Sequence, residues 1–431
     1  MALLDALPAH IPPGPLATLR RQALARVRAA GVPTVREEAW KYTDLRALDN
    51  DEFVAEAPGA IAAVPGPALL DACAHRLVFV DGILDPARSR LEGLPVGVQC
   101  RSFAALSDAE LAGLADVLGG YAGDDAQIFA AVNAACARDG AVIDLAPGAI
   151  LAEPLLVAFL HSCRAQRLFS APLVIVRAGT GSEAAILELH HGEAGARNLS
   201  TALTHIAAAP GSALEHWRVQ QEAAAAIHLA NVDIRVARDA RVASCSLAFG
   251  AQLARADIVA TLAEPGAAVV LNGLFNATHG QHVDHQTRID HVAPHTSSEE
   301  LYKGLAGGNG RGVFRGQVIV RPDAQHITAR QASHNLLLSP EAEIDTKPEL
   351  EIYADDVSCA HGATVGQLDD SALFYLTSRG IPAAEAHALL VYGFTQEVAA
   401  RIRFAPLRAW LAEQLAGRAD IPLPDGEEVA E

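Results

Sequence analysis

Six cysteines serve 431 residues, and no two of them form a CxxC pair. Cys73, Cys100, Cys136, Cys163, Cys245 and Cys359 are therefore neither a disulfide framework nor a structural zinc site, and they suit a reducing compartment. Positive charge is short as well. Lys and Arg total 33 against 51 Asp and Glu, a net charge of −18. That surface repels nucleic-acid phosphates and anionic lipids, so neither is an expected partner. No run of eighteen apolar residues exists, so no membrane-spanning helix is expected. Met1 to Gly14 lacks a basic stretch followed by an apolar one, so no signal peptide is expected and the cytoplasm is the expected location. Aromatic residues make up only 5%, few for a surface that stacks sugars.

Apolar residues, by contrast, reach 51%, ample for a core, and the length predicts two or three domains. Leu16, Leu19, Leu24 and Val27 lie near helical spacing, predicting a helix over 15–30 that Gly31 ends. Ser107 to Leu118 and Asp125 to Arg138 read the same way, with a strand at 77–80 and an Ala/Pro-rich loop at 57–67. From about Gly140 short β-branched or alternating runs are punctuated by Gly, Pro and Asp. Aligning Ser182, Ser212, Ala240 and Ala267 gives spacings of 30, 28 and 27 residues. A turn-plus-strand unit of that period predicts a β-solenoid, whose coils bury their apolar faces only by stacking. Helices return after Gly366. Asp370 or Ser371 is the expected cap of a helix to Ser378, Pro382 the expected first position of another to about Ile402, and a third runs from Pro406 to Leu415. The acidic end, Asp420 to Glu431, reads as frayed. The fold class is thus mainly β, divided as 1–139 helical, 140–366 solenoid and 367–431 helical.

Three clusters carry possible chemistry. His279, His282, His285, His291 and His295 lie near Asp284 and Asp290. On a strand, residues three apart face opposite sides, so these histidines are expected to pack between coils rather than converge on zinc. There is no HExxH. Leu305 to Gly312 is glycine-rich but lacks the GK[ST] ending of a phosphate loop. Its glycines are expected to supply positive φ in a tight turn, so the chain itself is not expected to hydrolyse ATP. His334, Asn335, Arg330 and Gln331 form a polar knot, expected as a hydrogen-bonded turn. Finally, Cys359 and His361 stand two apart in the segment Lys347 to Gly366. A strand would point both the same way, and sulfur with imidazole suits iron, zinc or copper(I). Two ligands are not four. Either this chain folds others inward, or a second chain completes the set, or the pair is a packed cysteine beside a turn histidine.

The segment Lys347 to Asp369 resembles the SufB/SufD family of the SUF iron–sulfur cluster assembly machinery, on its SufD side. Arg36-Glu37-Glu38-Ala39-Trp40-Lys41-Tyr42-Thr43 resembles its N-terminal motif. Gln281 to Thr287 with Asp290 to His295, Tyr302-Lys303-Gly304, Phe314-Arg315-Gly316, His334 to Leu338, and Phe374-Tyr375-Leu376 through Arg379-Gly380-Ile381 continue the resemblance in order. It implies a right-handed parallel β-helix core flanked by N-terminal and C-terminal helical domains. It implies a non-enzymatic assembly role: pairing with a SufB-like paralogue through the β-helices, and recruiting a SufC-like ATPase through the C-terminal helices. His361 would contact iron or a nascent iron–sulfur cluster shared with the partner, and Cys359 would be a weaker contact. The resemblance further implies reduced FAD in the assembled complex, though no residue here marks a flavin pocket. In isolation the chain could pair with a second copy through its uncovered strand edges. The alternative is an enzyme: a β-helix acting on polysaccharide, or a metal-dependent hydrolase using the His279–His295 cluster.

Overall fold

The structure, a computed structural model, describes residues 2–48, 53–55, 64, 66–122, 127–164 and 166–417. The acidic end at 420–431, the start of the helix expected from Asp125, and all of the expected 57–67 loop but 64, 66 and 67 lie outside the described residues.

From Glu183 onward, strands of eight to eleven residues are thrown alternately into two parallel sheets, as in Glu183–Gly192, Asn198–Ala208, Ala213–Gln221 and Ile227–Val236. Each strand pairs with the strand one full coil away, Ala213 with Glu183 and Arg241 with Ala213. The chain is therefore mainly β, and its core is a parallel β-solenoid. The register puts Ser182, Ser212, Ala240 and Ala267 in one column, as the repeat spacing predicts. The residue before each makes the corner. Gly181, Gly211, Asp239, Gly266, His295 and His326 all take positive φ, from 56° to 77°. Glycine does this without strain, and Asp and His are among the side chains that tolerate it.

Both ends of the primary sequence pack on this solenoid, on different parts of it. Helices Ala17–Ala30 and Ile128–Cys136 bury Ala23, Leu24, Val27 and Phe129 in a cluster with Phe169, Leu199, Ile227 and Leu253. The N-terminal third also adds strands, since His75–Val80 and Val98–Ser102 extend the two sheets. Helices Ala383–Ala399 and Ala405–Gly417 lie on the other sheet. Val391, Val398, Leu407 and Leu411 join Leu187, Leu247 and Leu274, while Phe404 stacks on Trp217. Helix Asp370–Ser378 buries no residue at all.

Three helical expectations need correction. The helix expected from Ser107 to Leu118 is two, Asp108–Ala112 and Ala115–Ala122. Ser107 and Glu110 form a capping box at its start, and Gly113 closes the first piece by donating its N–H to Ala109. The cap of Asp370–Ser378 is Asp369, whose carboxylate accepts the Ser371 N–H at 2.8 Å. Pro382 is extended and stands at the cap, one position before the helix. No helix among the described residues is long and apolar enough to cross a membrane.

Candidate functional site

The last coil consists of Glu343–Ile352 and Val357–Gly366, the terminal strands of the two sheets. In Val357–Gly366 the column Val357, Cys359, His361 pairs with Ile327, Ala329 and Gln331 of the preceding coil, all three buried. Cys359 and His361 therefore share the inward-facing side, as strand geometry requires. Among the described residues no further coil covers them. Cys359 is half-buried against the interior apolar cluster, and burial pushes its thiol pKa up. His361 is exposed. Ile352, Tyr353 and Val365, exposed by 40%, 60% and 43%, are among the few large apolar side chains at the surface, and all sit on this coil. Among the described residues no three His, Cys, Asp or Glu side chains are grouped to hold a metal. The pair at 359 and 361 stands as two ligands short of a set.

The central histidines are dispersed by their strand, His282–His291. His282 faces outward under Thr43, at 2.9 Å. His285 faces inward between Phe275 and Tyr302. His291 bonds Thr296 at 2.7 Å and Ser298 at 2.9 Å. His295 makes a solenoid corner and stacks on His326, and the ring of His279 lies over Gly308. Gly308 has φ 59°, the turn geometry expected of the glycine-rich loop. Packing between or along the coils is thus what four of these side chains do, while His282 packs under the N-terminal segment. The polar knot is different from expectation. Arg330, Gln331, His334 and Asn335 form no turn but lie in strand Ile327–Leu337, where His334 meets Thr364 at 3.0 Å and Asn335 donates to the Thr364 carbonyl.

The N-terminal motif is a clamp. Trp40 lies over the guanidinium of Arg255, 3.7 Å from ring centroid to carbon. Arg255 forms ion pairs with Asp257 and Asp284 at 2.6 and 2.7 Å, and donates to the Ala39 carbonyl. Thr43 donates to Asp284 at 2.6 Å. Glu38 reaches Lys347 on the last coil. The interior requires glycine at three places: a Cβ on Gly273 would collide with Tyr302, one on Gly304 with Phe275, and one on Gly316 with Gln331. Lys303 reaches out to the C-terminal helices, pairing with Glu397 and the Phe394 carbonyl.

Sequence reasoning missed the polar interior. Glu188 and Glu222 are fully buried. Burial opposes their ionisation, yet His190 and His216 on the first and His228 on the second hold both well below the usual carboxylate range. Glu300, with no cation beside it, is pushed by burial up to about 7, against hydrogen bonding from Thr287 and Gln331. Burial also pushes His190, His285 and His291 down to about 4. The unfolded chain binds those three protons near 6.5, so their neutral burial contributes stability that is complete above 6.5 and is lost as pH falls towards 4. Glu300 works the other way between 4.5 and about 7, and offsets only one proton of the three. The urea midpoint of the chain is expected to be lower at pH 4.5 than at pH 7. A midpoint that did not move would contradict the neutral burial of these rings.

Comparison with known proteins adds an independent finding. Residues 161–394 match the family model described as SUF system FeS cluster assembly, SufBD core domain, and residues 9–157 match the SufBD protein N-terminal region. The chain is 32% identical over 416 residues to the iron-sulfur cluster assembly protein SufD of Escherichia coli (strain K12), covering 94% of this chain and 93% of that one. It is 29% identical to the iron-sulfur cluster assembly SufBD family protein slr0076 of Synechocystis, covering 94% and 91%. It is 26% identical to the chloroplastic protein ABCI7 of Arabidopsis thaliana, covering 89% and 82%.

Proposed function

Because the chain belongs to the SufBD family of iron–sulfur cluster assembly proteins, we propose that it is the non-catalytic half of a paired cytoplasmic scaffold. Its uncovered last coil docks a SufB-like paralogue, and the cluster forms in the seam between them. The observation that carries this reading is the placement of His361, exposed and inward-facing on a coil that no further strand covers among the described residues. Iron and sulfide are the substrates here. His361 offers a borderline nitrogen to iron, Cys359 offers a thiol that burial keeps protonated, and the partner supplies the remaining ligands. The exposed Ile352, Tyr353 and Val365 provide the apolar part of the seam. In isolation the same coil suits a second copy of the chain.

Energy for opening the seam comes from outside the chain, since the loop at 305–312 packs its glycine on His279 and lacks the lysine of a phosphate loop. A SufC-like ATPase docks on the C-terminal helices. Phe374 and Tyr375 are exposed by 74% and 58% on a helix that buries nothing. Lys303, Arg401 and the Trp217–Phe404 stack couple the following helices to the solenoid, so that movement of the ATPase strains the last coils. Replacing both Phe374 and Tyr375 by Ser is expected to lower the ATPase recovered with the complex at least tenfold, given that buried aromatic anchors dominate interfaces. Unchanged recovery would remove this docking surface from the reading.

A reduced flavin in the complex is not assigned to this chain. A cavity of about 740 Å³ between the N-terminal helices and the first coils is lined by Arg20, Arg138, Phe159 and Phe169. It lies six strand spacings from the last coil, roughly 30 Å at about 4.8 Å each, so a flavin in it would not touch iron at His361. The test of the whole reading is co-expression with the SufB-like and SufC-like subunits. A stable three-component complex that assembles clusters anaerobically is expected. Purification of this chain alone, with the other two subunits paired without it, would contradict the proposal.

A further inference from the structure

Behind His361 the inward column continues through two buried polar side chains. Gln331 pairs in register with His361, and Glu300 pairs in register with Gln331. Gln331 is 3% exposed and Glu300 2%. The Gln331 Nε2 donates to Glu300 Oε2 at 2.6 Å. This turns Nε2 toward the carboxyl and leaves Oε1 as the free acceptor, because an amide oxygen cannot donate to a carboxylate. Oε1 of Gln331 is buried and has no hydrogen-bond partner. From across the interior, Gly316 leaves the space in which this amide lies, since a Cβ there would collide with Nε2. An acceptor has thus been buried and its amide fixed from behind by Glu300, one strand away from His361.

We propose that Gln331, held by Glu300, is a positioning residue for His361. Its Oε1 takes one imidazole N–H when the partner closes over the last coil, and so turns the other nitrogen toward iron. Adjacent parallel strands stand about 4.8 Å apart, a separation that a rotation of the imidazole bridges to hydrogen-bond length. Histidines that bind metals characteristically give their second N–H to such an acceptor, which fixes tautomer and ring orientation. The high pKa of Glu300 agrees with a buried carboxyl that has only a hydroxyl, Thr287, and the Gln331 amide beside it. The orphan acceptor, costly if it stayed unpaired in the interior, is then satisfied in the assembled state.

This inference rests on the ligand role given to His361, and its test separates the two. The complex is prepared with this chain ¹⁵N-histidine-labelled, and the ring nitrogens of the sedimented complex are read by magic-angle-spinning NMR. The His361 signal is identified by its loss in His361→Ala. A single tautomer is expected in the native complex and a mixture in Gln331→Leu. Ferrous iron affinity is expected to fall about 10- to 100-fold in Gln331→Leu and to be restored to within about threefold by Gln331→Glu, which keeps an acceptor. Should Gln331→Leu misfold because Glu300 loses its partner, the double variant Glu300→Leu, Gln331→Leu places apolar groups beside Leu271 in the same column and reads the same signal. The same tautomer state with and without the amide overturns the inference. Full cluster yield from His361→Ala overturns the ligand role, whatever the tautomer.

Discussion

Replacing His361 by Ala is expected to bring cluster formation by the assembled complex down to background, while the chain remains folded and bound to its partners. The ring lies on the uncovered side of the last strand, so its removal leaves no cavity. Substitutions at such sites shift stability by no more than about 0.5 kcal/mol. The chemical loss is large for the opposite reason. Among the described residues no third ligand stands near enough to compensate, and water is a poorer partner for ferrous iron than imidazole in a seam from which solvent is excluded. Cys359→Ala should cost only a few-fold, because that side chain packs with the interior cluster and its thiol holds its proton. The measurement is anaerobic reconstitution from iron and a sulfide source, followed by the visible absorption of the cluster. A His361→Ala yield equal to native would remove the imidazole from the site.

Arg255→Met is expected to be the most damaging single change to the fold, at about 3–5 kcal/mol, the cost of breaking a buried ion pair from one side. The methionine fills much of the volume, so the loss is electrostatic. Asp284 is buried and would keep only Thr43 and Gln286 as donors, and Trp40 would lose the cation over its ring. Burial alone would depress the Arg255 pKa, but Asp257 and Asp284 more than reverse that, so the cation is held in place by its neighbours. The clamp ties residues 38–43 to three strands of one sheet, Leu253–Leu262, His282–His291 and Glu343–Ile352, so its loss should also expose that segment to protease before the solenoid unfolds. The urea midpoint and the order of proteolytic cuts check both halves of the expectation. A loss below about 0.5 kcal/mol would show that Trp40 and Thr43 hold the segment without the guanidinium.

The solenoid was legible because its period is written in small residues. Ser182, Ser212, Ala240 and Ala267 mark the same position in four coils, and the coordinates stack them as their spacing predicts. The pattern fades at Thr296 and Ile327, where histidine replaces glycine as the left-handed corner. Without the register, His295 reads as a member of a histidine cluster rather than as a corner. His334 and Asn335 read as a turn from sequence because polar clusters usually mark turns. Here the polar side chains face neighbouring coils, and the hydrogen bonds that justify them come from residues thirty positions away. The same limitation hid Glu188, Glu222 and Glu300. A strand that buries a carboxylate looks like a strand that exposes one until its coil neighbours are known. The pair at Cys359 and His361 was visible from spacing, but its place on an uncovered coil came only from the fold.

Pulsed electron–nuclear spectroscopy of the reduced, cluster-loaded complex addresses the shared coordination shell most directly. This chain carries ¹⁵N-histidine and its partner carries natural-abundance nitrogen. A ¹⁵N hyperfine coupling to the cluster is expected, and it should vanish when the labelled chain carries His361→Ala. A fully formed cluster with no ¹⁵N coupling from this chain would contradict the account.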